Sequence, residues 1–267
     1  MTSNKTRKRK WYDTKFGAVG VVILLLLVYL FFGTILGSTY GAVQGTAVWD
    51  LIMIFFCLFL LSSHGLNLNR ITSPKLVIKK ISKKKKIILV ILLTCLVLIM
   101  YFVGQYTGSV IFYHYKDPAF AQYVKTTRMT QQTMAMYTFI SVVIAPICEE
   151  LLYRGVLYNE IKSKFNFSAA LFTQAIVFAV LHGTIVHLPG TFLLAVTSAL
   201  IYEYSGHLYY SVITHIGYNV FALYAGNIHL PEILIQKSIF AAVSYLLILS
   251  AVLTMYYMLA KAIKENK

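Results

Sequence analysis

Long apolar runs separated by clusters of basic residues are the feature that most limits how this chain can fold. About 20 apolar residues in a helix cross the hydrocarbon core of a bilayer. Runs near that length recur at 17–36, 46–62, 87–104, 131–150, 167–187, 190–204, 208–226 and 236–260. The shortest, 190–204, is joined to its neighbours only by Pro-Gly and Ser-Gly-His turns. Hydrophobic residues make up 58% of the chain and charged residues 12%, against about 45–50% and about 25% in a soluble domain. A water-soluble enzyme is thereby excluded. The expected fold is all-α, a polytopic membrane helical bundle of about eight transmembrane helices.

Charge sets the expected orientation, because loops that retain Lys and Arg stay on the cytoplasmic side. With both termini cytoplasmic, 20 of the 24 Lys and Arg fall on that side, in 1–16, 63–86, the segment with Arg154, Lys162 and Lys164, and the C-terminal tail. The external loops keep Lys116, Lys125, Arg128 and Lys237. The net charge of +15 therefore points to membrane orientation and anionic lipids as partners, not to nucleic acid. The basic opening KTRKRK precedes an apolar run too long for a cleavable signal, so an uncleaved first span is expected. Aromatic residues, 15% of the chain, suit interfacial belts. Cys57, Cys95 and Cys148 have neither the number nor the spacing of a disulfide framework or metal motif.

Against this apolar background, ionisable residues inside a span are costly and mark a functional site. The fourth run ends in APICEELLYRGVLYNEIKSKF, where Glu149, Glu150 and Arg154 interrupt it without a turn signal; the helix is expected to continue to about Lys164. The fifth places His182 deep in an apolar helix, and the seventh places His215 and Asn219 four residues apart on one face. An antiparallel hairpin turning at Phe165 and Asn166 puts Glu149 and His182 at equal distances from the turn, about 25 Å at helical rise, so the two can face each other. Glu150 and Arg154, at i and i+4, are in the favourable order for an ion pair. That leaves Glu149 for the chemistry. Pro146 removes a backbone donor just before it. His64, His114, His187, His207 and His229 fall at span ends or in loops and read as solvated or interfacial.

The three clusters resemble the signatures of the CAAX-protease and bacteriocin-processing family of intramembrane proteases, also called Abi or CPBP, which read EExxxR, FxxxH and HxxxN or HxxxD. Here they stand as EELLYR from Glu149 to Arg154, FAVLH from Phe178 to His182 and HIGYN from His215 to Asn219. The stretch before the last motif, with Gly206, is also similar, and the resemblance covers about 140–225. It implies an eight-helix fold and an endopeptidase working near the cytoplasmic membrane face. In that scheme Glu149 and His182 activate a water while His215 and Asn219 stabilise the oxyanion, with Glu150 and Arg154 in support. The chain then divides into 1–130, with three spans, basic cytoplasmic segments and an external loop; 131–226, the catalytic core; and 227–267, the last span and basic tail.

No HExxH of a zinc protease, Gly-x-Ser-Gly of a rhomboid or Gly-x-Gly-Asp of a presenilin-like protease is present. The preferred mechanism uses no tightly bound metal; zinc or another divalent ion, held by Glu149, His182 and His215, is the alternative. The expected partner is a peptide or protein substrate at the membrane: prenylated C-termini, pheromone precursors and bacteriocin leaders all stay open. The expected location is a multi-pass position in the membrane, the plasma membrane in a prokaryote. A non-catalytic scaffold with the same fold, serving in immunity or signalling, is the competing function. The sequence assigns no oligomeric state.

Overall fold

The structure, a computed structural model, describes scattered positions between 20 and 36 together with residues 42–63, 83–116, 131–182, 184–225 and 238–265. The regular elements among the described residues are all helices, without a strand. In chain order they form α1 (Ala42–Ser63), α2 (Lys83–Tyr115) and a long composite rod, then four further helices. The rod consists of α3 (Gln131–Phe139), a π-helical turn (Ile140–Ile144), α4 (Ala145–Glu150), a second π segment (Leu151–Tyr158) and α5 (Asn159–Lys164). The rest are α6 (Phe167–Leu181), α7 (Leu188–Ser205), α8 (Leu208–Ala225) and α9 (Ser238–Glu265). Much of the expected first span, most of the basic 63–86 segment, the external loop after Lys116 and the loop holding Lys237 lie outside the described residues.

By length and composition, one described helix, Met134–Lys164, can cross a membrane, and Gln44–Leu60, Phe167–Leu181, Leu188–Glu203 and Ile239–Thr254 are shorter apolar helices. Large apolar side chains cover the outer faces of the bundle, among them Phe55, Phe59, Val180, Ile239 and Leu247. A water-soluble monomer rarely shows so much apolar surface, whereas lipid tails accept it.

The apolar run at 190–204, short and tightly connected, occupies the centre. From Leu193 to Glu203 every residue of α7 is buried, as expected for a helix that is enclosed all round. It packs against α6, α2, α8 and α9. Its ends are fixed locally: Pro189 lies in the first turn, where its missing N–H is harmless, and Gly206 closes the helix at φ 76° with its N–H on Tyr202 O at 2.9 Å. The turn before α6 is also set by sequence. Asn166 leaves the helical conformation and its Oδ1 accepts from Ala169 N at 2.8 Å, an N-cap. The hairpin therefore turns where the spacing places it.

Two elements differ from the expected spans. α2 runs for 33 residues, about 50 Å at helical rise, well beyond 87–104. Polar Gln105 and Thr107 do not end it, since Thr107 Oγ1 donates back to Val103 O at 2.7 Å. Conversely, the helix expected to reach 187 stops at Leu181; His182 caps it with φ −76° and ψ 0°, and a turn ending at His187 leads into α7. His182 is thus a helix-end residue instead of lying deep within a helix.

α2 meets α7 through small residues. A Cβ on Gly104 would lie 2.6 Å from Gly190 Cα, and one on Gly108 2.6 Å from Val186 O. This Gly-xxx-Gly edge lets the two backbones approach as membrane helices commonly do. Beside it the Tyr101 ring stands edge-on to Tyr218 and Phe221, at 5.5 and 5.0 Å, joining α2 to α8. Gly104→Ala is expected to destabilise the detergent-solubilised protein by about 1–3 kcal/mol, because backbone and not a flexible side chain must yield. Gly217→Ala in α8, where a Cβ meets nothing within 4 Å, should leave the melting temperature unchanged or raised. Equal melting of the two variants would refute the close α2–α7 approach.

Candidate active site

The carboxylates sit on α4, the short α-helical stretch between two π-helical segments. π turns frequently occur at functional sites, and here the first has a specific cause. Ala145 N bonds Ile140 O, five residues back, so the next carbonyl, that of Ser141, looks to Pro146 for a donor. Proline has none. Asn219 Nδ2 from α8 supplies it, donating to Ser141 O at 2.7 Å. Asn219 therefore repairs the backbone defect that Pro146 introduces, a tie that binds α8 to the turn just before Glu149.

Glu150 is fully buried and its Oε1 is the centre of the polar cluster. Arg154 Nη1 lies 2.9 Å away at i+4, and His215 Nδ1 also lies at 2.9 Å. The ion pair expected from spacing is present, and Glu150 in addition fixes the imidazole: as an acceptor it draws the proton to Nδ1 and leaves Nε2 directed at Glu149. Glu149 Oε2 lies 3.6 Å from His215 Nε2, beyond a hydrogen bond. Glu149 is 16% exposed while His215 is 2% exposed, so Glu149 is the member of the chain that water can reach.

Arg154 is anchored on three sides. Besides Glu150, its Nη2 donates to Ala195 O on α7 at 2.9 Å, and its guanidinium lies over the Phe178 ring at 5.3 Å. Phe178, on α6, is the apolar hub of the cluster, with Tyr153 at 4.9 Å, His182 at 4.4 Å and His215 at 5.8 Å between ring centres. The half-buried His182 is held against it, Nδ1 on Phe178 O at 2.7 Å. The structure thus gathers Arg154, His182 and His215 around Phe178, with Glu150 joined to Arg154 and His215, and Asn219 one helical turn along α8; the histidine beside Glu149 is His215. No hydrogen bond joins Glu149 to His182 among the described residues.

Several buried polar residues join the site without having been singled out in the sequence. Gln174 Nε2 donates to Leu171 O and to Ala195 O, sharing the latter acceptor with Arg154. Below the site Glu203 accepts from Tyr158 Oη at 2.7 Å and pairs with Lys162, while Asn159 Nδ2 donates to Arg154 O, Gly155 O and Tyr202 Oη. These bonds serve carbonyls of the second π segment. Asp50 on α1 is buried beside Cys148 and Glu149. The signal for Gln174, Glu203 and Asp50 was the one used for His182, a polar side chain within or bordering an apolar run.

Among the described residues no group of three His, Cys, Asp or Glu is placed to hold a metal ion as the side chains stand.

Arg154→Ala should destabilise the protein by about 3–5 kcal/mol, the cost of leaving a buried carboxylate without its partner. Adding Glu150→Ala should recover part of that loss in thermal melting. Parent-like stability of Arg154→Ala, or strictly additive effects, would remove Glu150 from the centre of the cluster.

Comparison with known proteins finds similarity over the same segment. Residues 131–221 match the family model described as Type II CAAX prenyl endopeptidase Rce1-like. The Bacillus subtilis (strain 168) protein named "Putative membrane peptidase YdiL" is 23% identical over 92 residues, 34% of this chain and 38% of that protein; the match thus spans well under two thirds of the relative's length. No solved structure matches. The matched segment contains all three motifs, from Glu149 to Asn219. Residues 131–221 thus carry a similarity to CAAX prenyl endopeptidases, in the segment that holds the three motifs.

Proposed function

We propose that this protein is a membrane-embedded endopeptidase that cuts a peptide or protein near the cytoplasmic membrane face, using Glu149 to activate a water. The observation that carries the reading is the chain Arg154–Glu150–His215–Glu149, in which a buried imidazole, fixed by one carboxylate, presents its other nitrogen to a second, partly exposed carboxylate. Glu149 takes a proton from the water as it attacks the scissile carbonyl and returns it to the leaving amine. His182, on the rim of the same aromatic hub, orients that water. Asn219, through its amide, and His215, through Nε2–H of an imidazolium whose Nδ1–H is held by Glu150, donate to the oxyanion. Asn219 already gives one N–H to Ser141 O, and an amide nitrogen has a second.

The 3.6 Å between His215 and Glu149 suits a site that tightens when substrate arrives, since catalytic hydrogen bonds are often long before binding. Eight spans with both termini cytoplasmic remain the preferred topology, supported by the basic residues Lys162 and Lys164 at the end of α5. Prenylated C-termini, pheromone precursors and bacteriocin leaders are the substrate classes within this reading.

Glu149→Gln, which preserves shape but not basicity, should lower cleavage by about 10²–10⁴-fold, measured as accumulation of uncut membrane peptides at matched expression. His182→Ala should also abolish processing. Normal processing by Glu149→Gln would end the reading. Asn219→Ala should cut turnover by about 10²–10³-fold while leaving substrate binding nearly unchanged. A loss of binding alone would take the oxyanion role away from Asn219.

A further inference from the structure

Helix α1 lies outside the segment that matches the family, yet it brings a third carboxylate to the site. Asp50 is 1% exposed, on the face of α1 that also buries Trp49, Met53 and Cys57. That face packs on α4 and the second π segment, and α4 packs on α8 as well. Asp50 and His215 therefore approach α4 from two different helices. The Asp50 carboxyl is within hydrogen-bond reach of the Cys148 thiol and within electrostatic range of the Glu149 carboxylate, the residue after Cys148. Asp50 Oδ2 has no hydrogen-bond partner among the described residues. Arg154 pairs with Glu150, and Lys162 with Glu203.

A buried carboxylate with one weak thiol donor and a like charge beside it costs stability. Packing alone would be better served by an apolar residue at this position. We propose that Asp50 is a positioning residue for Glu149: its charge, held in place by the Cys148 thiol, drives the Glu149 carboxylate away from α1 and toward His215 and the attacking water. The activity side of this inference rests on the endopeptidase reading; the electrostatic coupling of Asp50 to Glu149 does not.

The test is a double-mutant cycle on the full chain in detergent or lipid nanodiscs, with Asp50→Asn, Glu149→Gln, the double variant and Asp50→Glu. Melting temperature and the kcat and KM for a cleaved peptide are measured for each. Asp50→Asn keeps the shape and an acceptor for the thiol but removes the charge. It should raise the melting temperature by about 2–4 °C and lower kcat about tenfold with KM within twofold. Asp50→Glu, which keeps the charge, should retain more of the turnover than Asp50→Asn. The thermal effects of Asp50→Asn and Glu149→Gln should be non-additive, as for residues in direct interaction. A lower melting temperature for Asp50→Asn, or its failure to fold, would overturn the proposal, because relief of a like-charge contact cannot unfold the chain. Additive thermal effects, or unchanged turnover in Asp50→Asn, would overturn it too. Absence of Glu149-dependent cleavage in the parent would defeat the endopeptidase reading alone, and the thermal cycle would still decide the coupling.

Discussion

The site depends on the buried carboxylate of Glu150. One oxygen receives both the Arg154 guanidinium and the His215 imidazole, and through them it connects the composite rod to α7, α6 and α8. Removing a single partner from such a group is far more costly than the net gain from forming it. The cluster therefore behaves as a unit. Its benefit is geometric: the His215 tautomer and ring plane are fixed, so that Nε2 has one direction in which to act, toward Glu149.

The backbone around that carboxylate is adapted to the same end. A regular α-helix through Pro146 would set the proline ring against a carbonyl one turn back. The π turn at Ile140–Ile144 relieves this, and the carbonyl left over, that of Ser141, is satisfied by Asn219. Asn219 thus has a structural duty besides the donor role that the family resemblance implies for it. The two are compatible because the amide has two N–H groups. A second π segment follows Glu150, where Asn159 answers the freed carbonyls of Arg154 and Gly155. Between the two, Glu149 and Glu150 point in different directions, one toward water and one into the core.

Enclosure of α7 explains how a cluster of charges survives in an apolar bundle. With α2 pressed on α7 through Gly104 and Gly190, the carbonyl of Ala195 lies where Arg154 and Gln174 can both reach it. The protein supplies the donors and acceptors that lipid cannot. The outward faces carry Phe, Leu and Ile in their place.

Sequence alone determined the helical character, the hairpin turn at Asn166, the Glu150–Arg154 pair and the residues of the three motifs. Each follows from local chemistry: an N-cap, an i to i+4 spacing, or a polar group where apolar residues prevail. Sequence did not reveal which histidine stands beside Glu149. Counting residues from a turn gives depth along a helix but not rotation about its axis, and the early end of α6 at Leu181 changed the placement of His182. Nor did it reveal the part played by Asp50, Gln174 and Glu203. A helix that meets lipid on one side and protein on the other is apolar on both, so its pattern does not say which face is inside. Only the packing of α1, α7 and α8 around α4 decided that, because burial in a membrane bundle is set by neighbouring helices and not by hydrophobicity.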